Sequence, residues 1–188
     1  PDEYRRRWVM YPEFRPGMIC AFTGLPGSGK TGLMSYIASI ANRAGWRVVS
    51  NYTLSCADDR VTKVSQLQQR NTLICIDELQ LIAGSRNFAK AVNMTISEWL
   101  ELDIRKPGNM LFYTAQDFNM VDINARRLTT YIYDSEIVHT GVSVLSKIQN
   151  MRYDRYVLRG RFKLSHSVFY GLYDTYDRDV RLSTEGVK

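Results

Sequence analysis

The sequence predicts an α/β protein: a three-layer sandwich on a mostly parallel sheet, with an antiparallel extension at its C-terminal end. Three observations predict it. Met18-Ile19-Cys20-Ala21-Phe22-Thr23 is a short apolar run leading into Gly24-Leu25-Pro26-Gly27-Ser28-Gly29-Lys30-Thr31, after which Leu33, Ile37, Ile40, Ala41 and Ala44 recur at helical spacing. Leu73-Ile74-Cys75-Ile76 is a second continuous apolar run, suited to a strand buried on both faces, and it ends in Asp77-Glu78. Strand-type and helical segments alternate as far as Val138, where shorter apolar and aromatic alternations take over.

The elements follow in order. Residues 1–17 form an arm in which Arg5-Arg6-Arg7 adjoins Trp8; such a run contacts nucleic acid or a neighbouring subunit, or is simply a solvated terminus. The first strand and the glycine string are followed by a helix that stops at Gly45. Residues 46–50 read as a second strand, and the polar stretch 51–71 holds a short helix near 64–69. The acidic end of the Leu73–Ile76 run falls at the carboxyl edge of the sheet, where ligands bind in open α/β folds. Ile96, Trp99, Leu100 and Ile104 mark a helix capped by Thr95 or Ser97 and ended by Pro107-Gly108. Residues 109–115 are a strand followed by Gln116, 122–128 a short helix and 130–138 a further strand. Val142-Ser143-Val144-Leu145, residues 153–158 and residues 161–164 read as antiparallel strands. The chain thus divides into the arm 1–17, a core 18–140, an antiparallel extension 141–176 and a polar tail 177–188.

A length of 188 residues suffices for one well-buried domain, and there is no repeat or low-complexity tract. Cys20, Cys56 and Cys75 lie in or beside apolar runs without metal-ligand spacing, as expected of buried, reduced thiols in a cytoplasmic protein. His139 and His166 are too scattered for a metal site or a triad. No stretch reaches membrane-spanning length and no signal-peptide pattern is present. The net charge of +6 favours a polyanionic partner.

The glycine string has the form of a phosphate-binding loop. Its glycines let the backbone approach phosphate oxygens, and its amides and the helix N-terminus aim donors at an anion. The expected nucleotide contacts are Gly24, Leu25, Pro26, Gly27, Ser28, Gly29, Lys30, Thr31 and Gly32. ATP is the expected ligand, with Lys30 on its β- and γ-phosphates and the Thr31 hydroxyl on Mg²⁺. Asp77 would hold Mg²⁺ through its water shell while Glu78 polarises the attacking water, because successive strand residues point to opposite faces. Taken alone, Asp-Glu at a strand end is equally a solvated edge or a helix-start charge pair. Placed 47 residues after Lys30 with a further strand available between them, it reads as catalytic, and a built-in base implies hydrolysis. Gln116 would sit beside Lys30 if its strand is central, and would either sense the γ-phosphate or cap the next turn. A cation for the transferring phosphoryl group is expected from Arg105, Arg86, Arg126 or Arg127, with Arg105 favoured by its place at a helix end just ahead of the Gln116 strand.

Ile76-Asp77-Glu78-Leu79-Gln80, Ser85-Arg86, Arg105-Lys106-Pro107-Gly108, Thr114-Ala115-Gln116 and Asp122 followed by Arg126-Arg127 resemble the zonular occludens toxin-like ATPases. These are relatives of the filamentous phage assembly ATPases, within the FtsK/HerA group that includes viral genome-packaging ATPases. The resemblance covers residues 18–138. Its loop and Asp-Glu elements are common to many ATPases, whereas the ordered Arg-Lys, Thr-x-Gln and Arg-Arg set is more specific. It implies a P-loop NTPase fold of the ASCE type, Gln116 as sensor and Arg105 as a finger acting in trans. It further implies a homohexameric ring that moves double-stranded DNA in packaging, virion assembly or export, in host cytoplasm, with capsid or assembly proteins as further partners. Some phage-type members carry a membrane helix after the core, and this sequence has none, which favours a packaging or translocating motor. Arg60, Lys63, Arg86 and Lys90 are candidates for gripping DNA. The competing readings are an assembly or export ATPase acting on protein partners at a membrane, and a small-molecule kinase. The kinase is disfavoured because Glu78 and Gln116 suit water activation and no acceptor site is evident.

Overall fold

A computed structural model describes residues 10–79, 96–100, 104, 108–121, 123–150, 155–174 and 182. Eight strands are named: β1 (Ile19–Thr23), β2 (Arg47–Ser50), β3 (Asp59–Arg60), β4 (Thr72–Ile76), β5 (Met110–Ala115), β6 (Tyr131–Val138), β7 (Gly141–Asn150) and β8 (Arg155–Leu164). They form one sheet in the order β3-β2-β4-β5-β1-β6-β7-β8, parallel from β3 to β6 and antiparallel at β7 and β8. Helices α1 (Lys30–Arg43), α2 (Ile96–Trp99) and α3 (Ile123–Leu128) cover the two faces.

The pleat explains the layering. Alternate residues of β1 point to opposite faces, and both faces are buried, which is why the strand reads as an unbroken apolar run. Cys20 and Phe22 join Leu33, Met34, Ile37 and Ala41 of α1 in one core. Ile19 and Ala21 join Trp99, Leu100, Ile104 and Ala125 in the core on the other face. Phe22 also stacks on Tyr133 of β6, with ring centroids 5.2 Å apart. Leu182, in the stretch expected to be a tail, is half-buried against the second core. No described helix is long and apolar enough to cross a membrane.

Three details differ from the sequence expectation. The helix near 64–69 is a 3-10 turn at Val64–Leu67. The two strands expected at 153–158 and 161–164 are one strand, β8. Ser146 pairs with Gly160 but Lys147 with Leu158, so Arg159 is the extra residue of a bulge, and the break in alternation marks that bulge. The Arg159 guanidinium lies 4.8 Å from the centre of the Tyr131 ring and donates to the Tyr11 carbonyl at 3.2 Å. Beyond β8 the chain does not continue as strand: Ser165 caps a 3-10 turn at His166–Phe169.

The strand order positions the site. β5 lies between β1 and β4, so the strand carrying Asp77 at its end is separated from the glycine loop by the strand that precedes Gln116. Thr23 sits opposite Ala115 on one side and Asp134 on the other, which brings the carboxyl ends of β1, β4 and β5 and the middle of β6 together around the loop.

Candidate functional site

The loop from Gly24 to Thr31 turns out of β1 into α1. Gly24, Gly27 and Gly29 have φ of +142°, +78° and +86°, conformations open to glycine and costly to residues with a Cβ. A Cβ at Gly24 would lie 2.4 Å from the Ser135 carbonyl oxygen, and one at Gly29 2.8 Å from Val142 Cγ2. Nothing lies within 4 Å of the corresponding position at Gly27, so the loop is braced at both ends and open in the middle. Ser28 donates its amide to the Leu25 carbonyl at 3.0 Å. Its hydroxyl shares a hydrogen bond with Ser135, which also donates to the Thr23 carbonyl. Asp134 accepts from the Thr23 hydroxyl and pairs with Lys147. Strand β6 thus braces the loop from the side.

Lys30 donates from Nζ to the Leu25 carbonyl at 2.9 Å. Burial pulls its pKa below the usual lysine value, and the charges of Asp77 and Glu78 push it back up. The Thr31 hydroxyl donates to Asp77 Oδ1 at 3.0 Å, and Thr114 donates to the same oxygen at 2.6 Å. The backbone of Asp77 is clamped by Asn51, whose amide accepts from Asp77 N–H at 2.7 Å and donates to its carbonyl at 3.1 Å. Thr31 and Asp77 therefore present hard oxygen ligands beside an anion-binding loop, the donor chemistry that suits Mg²⁺.

Glu78 requires a correction. Asp77 and Glu78 lie beyond the last residue of β4, and Glu78 has φ of +55°. Strand pleating therefore does not set the direction of Glu78, which follows from this left-handed backbone. The conformation is uncommon outside glycine and is a mark of an over-determined site. The Glu78 amide donates to the Thr114 hydroxyl at 2.8 Å. One hydroxyl on β5 thus ties Asp77 to Glu78.

Gln116 follows β5 directly and is exposed at the carboxyl edge beside the loop, because β5 is central. Arg126 and Arg127 lie on α3 near the amino edge, where Thr129 and Thr130 lead into β6. They are at the opposite end of the sheet from the glycine loop of the same chain. Arg60, in β3, and Lys63, three residues later, are exposed. Arg105, Arg86, Lys90, Asp122 and the Arg5-Arg6-Arg7 run lie outside the described residues. Thr114, Asn51 and Ser135 belong to the site without having been assigned a role in sequence; Thr114 sits near the end of β5 and Asn51 immediately after β2, which is the available signal, whereas Ser135 lies within β6 and carries none. His166, read as an isolated histidine, lines the cavity at the loop.

Residues 20–135 match the family described as "ATPase family associated with various cellular activities (AAA)". The chain belongs to the AAA ATPase family. The matched span of this AAA ATPase runs from β1 into β6 and includes the glycine loop. The N-terminal domain of zonular occludens toxin from Neisseria meningitidis has a similar fold, aligned over 86% of this chain and 100% of that chain with 21% identity and a TM-score of 0.55. The flagellar accessory protein FlaH from Methanocaldococcus jannaschii aligns over 76% of this chain and 82% of that chain, with 14% identity and a TM-score of 0.46. No curated protein matches the AAA ATPase by sequence. The first of these structures agrees in fold with the family likeness read from the motifs.

Proposed function

We propose that this AAA ATPase is a DNA-translocating motor, working as a homohexameric ring in viral genome packaging or virion assembly in host cytoplasm. The observation that carries the reading is the coupling through β5. Thr114 bonds both Asp77 and Glu78, and Gln116 stands two residues later, directly after the end of the same strand at the carboxyl edge of the sheet. A change felt by Gln116 at the γ-phosphate has a direct route to the hydrolytic pair, and a motor needs such a link between phosphate state and backbone.

In this reading Lys30 and the loop amides hold the β- and γ-phosphates of ATP. Thr31 and Asp77 would hold Mg²⁺, which neutralises charge across those phosphates when bound. Glu78 orients the attacking water and takes its proton. Arg105 of a neighbouring subunit supplies positive charge to the transferring phosphoryl group. The net charge of +6 supports a polyanionic cargo, with Arg60 and Lys63 among the exposed cations available to it.

The test measures ATP hydrolysis with and without duplex DNA at rising salt, with sedimentation velocity on the same samples. Stimulation that fades with salt, by a hexamer, is the expected result. Hydrolysis indifferent to every nucleic acid would remove the DNA cargo and point to an assembly ATPase acting on protein partners.

A further inference from the structure

The cavity at the phosphate loop is larger than a triphosphate requires. It has a volume of about 690 Å³ and runs from Gly29, Lys30 and Thr31 past Val142 to Phe169 and Tyr170, within the size range of sites that enclose a whole small ligand. Its far wall is the segment 165–174.

That segment is held in place along its length. Phe169-Tyr170-Gly171-Leu172 forms a type II turn: Tyr170 has φ −62° and ψ 129°, Gly171 has φ +71°, and the Leu172 amide donates to the Phe169 carbonyl at 3.2 Å. The chain then docks on the stretch after β2. Ser55 N–H donates to the Leu172 carbonyl at 2.8 Å, Asp174 N–H to the Thr53 carbonyl at 3.2 Å, and Tyr173 bridges Leu54. Phe169 and Tyr173 lie directly over Gly32 of α1, where a Cβ would come within 3.3 Å and 3.2 Å of their rings. Phe169 also meets Tyr36 edge to face.

Packing accounts for Phe169 and Tyr173, but not for Tyr170. That ring is 80% exposed at the corner of the turn and still borders the cavity. An aromatic face held open on a fixed turn beside a phosphate site has the chemistry to receive a base. Ile137 and Val142, from the two sides of the β6–β7 turn, supply apolar surface to the same cavity, with Val142 against Gly29.

We propose that the segment 165–174 is the nucleobase wall of the ATP site, with Tyr170 as the face on which the purine stacks and Ile137 and Val142 as further apolar lining. The inference rests on ATP as the nucleotide of the proposed motor. Its readout is nucleotide affinity, so it stands or falls separately from DNA stimulation.

The experiment measures the affinity of the full chain for ATP, CTP and inorganic tripolyphosphate by calorimetry, together with KM for ATP. In Tyr170→Ala, ATP affinity should fall about tenfold, within the range for base–aromatic stacking, and KM should rise with it. Tripolyphosphate should bind as to the parent protein, and the preference for ATP over the smaller ring of CTP should shrink. Tyr170→Trp should keep ATP affinity. Unchanged ATP affinity in the alanine variant, equal losses for ATP and tripolyphosphate, or a tryptophan variant as weak as alanine would each overturn the assignment.

Discussion

Replacing Thr114 with valine removes one hydroxyl and leaves the side-chain outline almost unchanged, in a position with no solvent exposure. The lost donor served Asp77 Oδ1 at 2.6 Å, and a hydrogen bond to a charged group contributes about 1.5–3 kcal/mol. The lost acceptor served the Glu78 amide at 2.8 Å, and stranding such a donor costs about 1–3 kcal/mol. Glu78 is half-buried, so water offsets part of the second cost. The sum is about 2–4 kcal/mol, and for a chain of this length that lowers Tm by about 5–15 °C. The second consequence is kinetic. A left-handed, non-glycine residue costs about 1–2 kcal/mol, and without the Thr114 acceptor β5 no longer helps to hold Glu78 there. Relaxation of Glu78 displaces its carboxylate, and kcat falls about tenfold or more, equivalent to at least ~1.4 kcal/mol of barrier. KM for ATP changes less, because Lys30 and the loop are untouched. Thermal denaturation and steady-state ATPase assays on the valine variant, with Thr114→Ser as the hydroxyl-retaining control, read both quantities. A valine variant that melts and turns over like the serine variant would refute the coupling.

Three further outcomes are expected. Gly24→Ala drives a Cβ to 2.4 Å from the Ser135 carbonyl at a φ of +142°; calorimetry should detect no ATP binding at concentrations that saturate the parent, and retained affinity would show the loop can yield. Burial holds Lys30 below the usual lysine pKa and ATP needs its ammonium form. Affinity should therefore fall as pH rises through that lowered value, and Lys30→Arg should move the fall to higher pH. An affinity flat into alkaline solution would remove this role. Glu78→Gln should bind ATP while turnover drops about a hundredfold or more; an active variant would reassign the base.

The loop was legible because its signal is local: glycine spacing, Lys30-Thr31 and the flanking strand and helix all lie within one stretch of chain. Strand β4 was legible for the same reason, as a run buried on both faces. The backbone at Asp77-Glu78 was not, since alternation describes a continuing strand and cannot anticipate one residue at φ +55°. Asn51 and Thr114 are separated from Asp77 by 26 and 37 residues. Only the order of β2, β4 and β5 in the sheet brings them together. The aromatic spacing of 165–174 resembles that of the preceding strands, and the turn at Tyr170-Gly171 is what redirects it over α1.

The two margins of the sheet carry a consequence for life at high local concentration. An unpaired strand edge is a template on which another chain can grow a sheet. Here one margin is β3, only two residues long. The other is β8, kinked by its bulge at Arg159 and carrying the exposed cations Arg155, Arg161 and Lys163. Both margins resist strand addition. Copies of this protein can therefore crowd side by side without their sheets fusing into an aggregate.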